Sequence, residues 1–298
     1  MESSTHNLIQ LRGQLVDLAQ PRVMGILNAT PDSFFAGSRK QTEREVAERV
    51  AQIVEEGGDI IDVGAFSTRP DADEVDEAEE TRRLGEALAI VRREAPHMPV
   101  SVDTFRPMVA RRCVEQWGAD MVNDVSEGGL TGIAGKPLGE ASTTSMFETV
   151  AQLGVPYILM STRSNLRDML QAFAAEVEQL RALGVKDIIL DPGFGFGKTL
   201  DENYRMMAGL EQLHALQLPL LVGISRKSMI YRLLGGSPAD ALGGTIALNT
   251  VALAKGAGIL RVHDVREAVE TVAICRQLDL PHPYATSPNP QPPCSTSE

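Results

Sequence analysis

Aromatic residues are scarce in this 298-residue chain: Phe, Trp and Tyr make up 4% of it, with one tryptophan. Val, Ile, Leu, Met and Ala must therefore fill the core. Cysteine is scarce too. Cys113, Cys275 and Cys294 are scattered and odd in number, with no CxxC pair, which argues against a disulfide framework and against a zinc site. Long apolar runs are missing. The longest, around Leu218–Val222, extend for about six or seven residues, far short of the ~18 that span a bilayer. Met1–Asn7 is polar and has no apolar centre, so no secretory signal is expected there. Positive charge is also short: 28 Lys and Arg face 40 Asp and Glu, a net charge of −12. Nonspecific nucleic-acid binding and polybasic membrane attachment both need the opposite sign. The expectation is a cytoplasmic protein that binds neither nucleic acid nor membrane. Anionic small molecules stay allowed, because they respond to local charge.

The pattern that is present is a short β-branched run, a polar or Gly-rich stretch, then an amphipathic helix, repeated. Eight runs read as strands: Arg22–Leu27, Asp59–Val63, Pro99–Asp103, Asp120–Asn123, Val155–Met160, Asp187–Leu190, Pro219–Gly223 and Gly258–Val262. Helical spacing recurs between them, for example over Glu43–Glu56, Asp76–Glu94, Pro107–Trp117, Arg167–Leu183 and Pro238–Lys255. A length prior of roughly 150 residues per domain suggests two domains, but eight such units in about 250 residues suit one closed barrel better. The expected fold is an α/β single-domain (β/α)8 TIM barrel over residues 22–280. A segment 1–21 precedes it, and a Pro- and Ser-rich tail, 281–298, reads as disordered. Gly128–Ser145 is long for a βα connection, and reads equally as a lid or as a plain insertion.

In such a barrel, chemistry gathers where the strands end. The exits carry Asn28, then Thr68 in Asp62-Val63-Gly64-Ala65-Phe66-Ser67-Thr68-Arg69-Pro70. Further round come Asp103, Asn123 with Asp124, and Asp191 opening a glycine run, then Ser225-Arg226-Lys227 and finally Arg261 with His263 and Asp264. A lone Asn or Asp after a strand is ordinarily a turn former or helix cap, and Asp264 and Ser225 could serve only as caps. Recurrence at seven exits describes a pocket with two halves. Asp103, Asn123 and Asp191 form an acidic and amide half, suited to a flat heterocycle rich in N–H donors. Arg261 and His263, with Thr68 across the mouth, form a cationic half suited to phosphate. The run Gly193-Phe194-Gly195-Phe196-Gly197-Lys198 imitates a nucleotide loop. Pro192 stands where a Walker motif needs its first glycine, and Lys198 where a dinucleotide fingerprint needs its last. A tight turn that lets backbone approach a planar ligand fits better.

The segments MGILNATPDSF, DVGAFSTRP, VSVDTF, GADMVNDVS, ILDPGFGFGKT, LVGISRKS and RVHDV, in this order, resemble the dihydropteroate synthases, the folate-pathway members of the pterin-binding barrels. The likeness runs from about Val23 to Ala273. It implies condensation of (7,8-dihydropterin-6-yl)methyl diphosphate with 4-aminobenzoate, giving 7,8-dihydropteroate and pyrophosphate, and a homodimer joined through the last helices. It implies Mg²⁺ at Asn28 and pyrophosphate binding by Thr68, Arg261 and His263. Asp103, Asn123, Asp191 and Lys227 match the pterin-reading positions, with Met160 and Phe196 among the substrate contacts. Ser225 and Arg226 match the loop near the aminobenzoate carboxylate, and Phe34, Thr68 and Pro70 match mobile loops over that substrate. Asp103, Asp191, Lys227, Arg261 and His263 are the expected catalytic set.

The lids depart from the family pattern. Ala36 replaces an acidic residue, Phe66 stands where Glu is usual, Asp71 follows Pro70 in place of Gly, and Ser161-Thr162-Arg163 follows Met160 where Met-His is usual. Two other readings stay open: a pterin-binding methyltransferase on the same barrel, and a weakly active pterin-binding paralogue.

Overall fold

In the computed structural model, residues 7–29, 39–65, 75–129 and 145–278 are described. Phe34, Ala36, Phe66, Thr68, Pro70, Asp71, most of the Gly128–Ser145 stretch and the 281–298 tail lie outside them.

A short antiparallel hairpin comes first: β1 (Leu8–Leu11) pairs with β2 (Gln14–Asp17). Arg12 and Gly13 make its two-residue turn, both at positive φ (51° and 76°), the geometry that matches strand twist in a tight hairpin. The hairpin has no counterpart among the expected strands: its polar, largely exposed second strand interrupts no strand–helix repeat and shows no apolar run. Eight parallel strands then close a barrel: β3 (Arg22–Asn28), β4 (Ile60–Gly64), β5 (Val100–Asp103), β6 (Met121–Asp124), β7 (Tyr157–Met160), β8 (Ile188–Asp191), β9 (Leu220–Val222) and β10 (Ala257–Val262). Closure is made by β10, which pairs with both β3 and β9. All eight expected strands are present, with ends shifted by a residue or two.

Helices α1 (Arg39–Glu55), α2 (Glu77–Glu94), α3 (Pro107–Trp117), α4 (Met146–Leu153), α5 (Leu166–Ala182), α6 (Leu200–Ala208), α7 (Ser228–Leu234), α8 (Leu242–Ala254) and α9 (Val265–Gln277) surround the strands. Their starts follow capping chemistry. The Asp76 carboxylate accepts the Glu79 N–H at 2.8 Å at the start of α2, and Ser145 with Glu148 forms a capping box on α4. The helix expected over Pro238–Lys255 is two pieces, a 3-10 turn (Pro238–Ala241) and then α8.

Two apolar layers hold the barrel. Outward-facing Val23, Leu27, Ile61, Val63, Val102, Val122, Leu159, Leu190, Val222 and Leu260 pack under the helices. The inner layer is Met24, Ile60, Met121, Ile158, Ile189, Leu221 and Ile259, joined by Ile9, Leu11 and Leu18 from the hairpin region. The hairpin therefore plugs the end of the barrel where the strands begin and leaves the other end for polar groups.

Candidate active site at the strand ends

Strand alternation builds the site. Side chains on a strand alternate faces, so the next inward position lies two residues beyond each inner-layer residue. Ile60 leads to Asp62, Met121 to Asn123, Ile158 to Met160, Ile189 to Asp191 and Ile259 to Arg261. Asp103 stands beside Asn123 in the β5–β6 register, and Asn28 beside Gly64 in the β3–β4 register. A polar layer thus sits directly on an apolar one.

Arg261 is the hub of that layer. Its Nε donates to Asp62 Oδ2 at 2.6 Å and its Nη2 to Asp103 Oδ2 at 2.7 Å. Asn123 Nδ2 donates to the same Asp62 oxygen at 3.2 Å. Burial opposes charge on Arg261, but Asp62 and Asp103 outweigh it and its pKa is raised. Burial pushes the Asp103 carboxyl up to about 7, against the pull of Arg261. The expected separation into an acidic half and a cationic half is therefore corrected: Arg261 is threaded between two carboxylates. Asp62 was overlooked as a site residue, although a carboxylate inside the apolar run Ile60-Ile61-Asp62-Val63, on the inward parity, was a signal for it.

Asp191 is 7% exposed and its Oδ1 accepts the Gly193 N–H at 2.8 Å. The glycine run then folds back tightly. Gly193 has φ 62°, and a Cβ there would lie 2.3 Å from the Ser161 carbonyl oxygen, so only glycine fits. The turn aims its carbonyls at two lysines. Lys227 Nζ donates to the Phe194 carbonyl and lies 4.5 Å above the Phe196 ring. Lys198 Nζ donates to the carbonyls of Gly193, Ser161 and Phe196 at 2.9, 3.2 and 3.3 Å. Burial lowers both ammonium groups to about 8, with Asp191 opposing the shift. Lys227 is thus not a solvated helix lysine. It occupies the N-cap position of α7, turned toward the Asp191 loop. Lys198 carries no site signal in the sequence, because beside the glycine run it resembles the lysine of a nucleotide loop.

The adjoining rim is built from β3, α1 and the segments after β9 and β10. Asn28 is exposed and, with Arg49, Gln52, Arg226, His263 and others, lines a cavity of about 470 Å³. Arg226, at φ 55°, grips Asp264 through Nε and Nη2 at 2.9 and 2.7 Å. Asp264 therefore makes an ion pair and gives α9 no side-chain cap, a correction to its reading as a cap. Ser225 is 5% exposed, and its hydroxyl accepts the His263 backbone N–H at 3.1 Å while also meeting Nδ1 of that ring at 3.1 Å. His263 meets solvent on one side. Its partial burial, then Arg261, hold the imidazole down to about 4 against the opposing pull of Asp264, with Arg49 and Arg226 adding to the lowering. His263 therefore favours the neutral form, which offers one N–H, beside the charged Arg261.

The structure brings Asp103, Asn123, Met160, Asp191, Phe196, Lys227 and Arg261 to one end of the barrel, with Asn28, Ser225, Arg226 and His263 on the adjoining rim. Thr68, Phe34 and Pro70 lie outside the described residues.

Comparison with known proteins agrees with this arrangement. The family model described as pterin binding enzyme matches residues 24–263. The dihydropteroate synthase of Escherichia coli (strain K12) is 37% identical over 280 residues, covering 88% of this chain and 93% of that protein. A Xanthomonas albilineans dihydropteroate synthase solved with 4-aminobenzoic acid superposes with a TM-score of 0.79 at 32% identity, over 92% of this chain and 98% of that one. The complex of a synthase from that organism with 7,8-dihydropteroate gives 0.76 at 31% identity, over 91% and 98%. The inward polar layer, the glycine turn and these matches together show that the chain belongs to the pterin-binding enzyme family and, within it, to the dihydropteroate synthases.

Proposed function

We propose that this site joins (7,8-dihydropterin-6-yl)methyl diphosphate to 4-aminobenzoate, with the pterin held by the strand-end layer and the pyrophosphate by the rim. The observation that carries the reading is the set of acceptors in the strand-end layer: Asp103, Asp191 and the unpartnered buried Oδ1 of Asn123. Such a set suits a ring edge made of N–H donors. Lys227, over Phe196 and beside Asp191, complements a ring carbonyl. Arg261 supplies positive charge where the C–O bond to pyrophosphate breaks, and neutral His263 donates one N–H to a phosphate oxygen. The methylene carbon left behind is electron-poor, and ionised Asp103 and Asp191 offset that charge. The arylamine nitrogen forms the new C–N bond with its own lone pair as the C–O bond to pyrophosphate breaks. The ammonium so formed is acidic enough to pass its proton to the released pyrophosphate or to water, so no strong base is required. By the family likeness, Thr68, Phe34 and Pro70 match positions that meet 4-aminobenzoate, and its carboxylate would meet the Ser225-Arg226 loop. The purified chain given both substrates should form 7,8-dihydropteroate, detected by chromatography; binding of the dihydropterin without product would mark a non-catalytic paralogue.

Mg²⁺ belongs to this proposal. Among the described residues no group of three His, Cys, Asp or Glu side chains is placed to hold a metal ion. Asn28 alone, an amide on the exposed rim, suits a hard cation whose remaining ligands are water and substrate phosphate. Bound there, Mg²⁺ would neutralise charge on the leaving pyrophosphate. The chain without pyrophosphate should therefore bind Mg²⁺ weakly in calorimetry, and a tight site in its absence would contradict the assignment.

The pH profile follows from the two shifted groups. As pH rises through about 7, Asp103 loses its proton and becomes the better acceptor and counter-charge, so kcat/KM should climb. Above about 8, Lys227 loses its positive charge and kcat/KM should fall. The acid limb should vanish in Asp103→Asn; its persistence there would assign it to another group.

We also infer a homodimer and a cytoplasmic location. Leu233 and Leu234 of α7, Val251 of α8 and Ile274 of α9, with Leu278 just beyond, are exposed apolar residues on the last helices, which supports self-association there. Among the described residues no helix is long and apolar enough to cross a membrane.

A further inference from the structure

One buried group in the polar layer has no role in the chemistry above. Asp62 is fully buried, yet its Oδ2 accepts two hydrogen bonds, from Arg261 Nε at 2.6 Å and from Asn123 Nδ2 at 3.2 Å. Its Oδ1 and the Asn123 Oδ1 are buried with no partner in the protein. A side-chain amide has a donor end and an acceptor end of nearly equal shape, so packing alone does not choose between its two orientations. An ionised carboxylate only accepts, and it therefore admits one of them.

We propose that Asp62 is a positioning residue that sets the polarity of the site: it turns the Asn123 amide so that its oxygen, not its nitrogen, is left for the ligand, and it fixes the Arg261 guanidinium opposite Asp103. The inference rests on the pterin reading and deepens it. With Asn123 held this way, Asp103, Asn123 and Asp191 all present acceptors. A ring offering N–H at that edge is matched, and one offering a carbonyl or bare ring nitrogen is repelled. The same oxygen aims the cation, so recognition of the ring and placement of the phosphate-facing charge depend on one buried atom. The side-chain pattern supports this division of labour. Asp62 lies two residues beyond Ile60, in the rung directly above the apolar layer and beneath the rim, where it reaches other side chains first.

The test is a double-mutant cycle on the full chain, with 6-hydroxymethyl-7,8-dihydropterin as an uncharged probe in titration calorimetry. Asp62→Leu removes the acceptor at similar shape, and it should weaken the probe about tenfold, the order expected for one hydrogen bond to a charged network. In an Asn123→Ala background the same change should cost clearly less, about threefold or under, because the amide it orients is gone and only the aim of Arg261 at Asp103 is still lost. Asp62→Asn keeps an oxygen at the shared position and should retain binding within about threefold. Losses that multiply in the double variant, or no rescue by asparagine, would overturn the proposal. A second measurement needs no variant at position 62. In NMR of the ligand-free chain, the Asn123 Nδ2 protons should exchange slowly with solvent before any pterin is added; fast exchange there would overturn it as well. If the unmutated chain did not bind the probe, the pterin reading itself would fall, and the recognition part of this inference with it. Binding by the unmutated chain with multiplicative losses would remove only the role of Asp62.

Discussion

Arg261→Ala is expected to be the most damaging single change, lowering kcat/KM by at least about a thousandfold and destabilising the fold by about 3–5 kcal/mol, the range for removing one partner of a buried ion pair. A role in pyrophosphate binding alone would give a loss far larger for the pyrophosphate-bearing substrate than for an uncharged pterin. The structure predicts a wider one. Arg261 is 20% exposed and pairs with fully buried Asp62 and with Asp103, so its removal leaves two carboxylates facing each other without a cation. Asp103, already raised to about 7, would then hold its proton to higher pH. A carboxyl whose folded-state pKa lies above its unfolded value stabilises the fold below that value and loses the contribution as pH rises through it. The variant should therefore be closest to the unmutated chain in acid and fall away through neutral pH and above. An uncharged dihydropterin should also bind less well, through the disturbed Asp103 and Asn123, while the diphosphate ester should lose more. Thermal melts across pH and calorimetry with both ligands check this. Equal losses for the two ligands would remove Arg261 from phosphate binding, and a stability deficit independent of pH would contradict the two-carboxylate account.

Asp191→Asn is expected to weaken dihydropterin binding by about 1.5–3 kcal/mol, roughly ten- to a hundredfold, the worth of a hydrogen bond to a charged group. The substitution keeps the shape and the oxygen that can accept the Gly193 N–H, so the fold should be little affected. It removes the charge that favours the ammonium form of Lys227. A smaller second effect follows: the alkaline fall in kcat/KM should move to lower pH, because Lys227 would lose its proton more readily. Unchanged affinity with an unchanged alkaline limb would take Asp191 out of the site. The two readouts separate lost ligand contact from loop distortion, which would lower affinity without shifting the limb.

Much of this was legible in the residues. The barrel follows from eight apolar runs spaced by amphipathic helices, and the polar strand ends were visible as Asp, Asn, Arg and Lys punctuating those runs. What was not legible is which polar groups meet. Asp62 and Arg261 are 199 residues apart, and only barrel closure through β10 and β3 brings them together. The downward shift of His263 was hidden in part for the same reason, since it comes first from burial and is added to by Arg49 of α1, which is far away in the chain. For Asp264 a cap is the local alternative that the sequence offers, whereas its actual partner Arg226 sits 38 residues away in an unusual backbone conformation. The hairpin β1–β2 escaped because its burial comes from plugging the barrel, not from periodicity of its own.

The most direct test of the central claim follows pyrophosphate release from (7,8-dihydropterin-6-yl)methyl diphosphate with and without 4-aminobenzoate. If the strand-end layer and rim act as described, release in the presence of Mg²⁺ should be saturable in both substrates and should match dihydropteroate formation one for one. A chain that binds the diphosphate ester at this site yet releases no pyrophosphate when 4-aminobenzoate is added would contradict it.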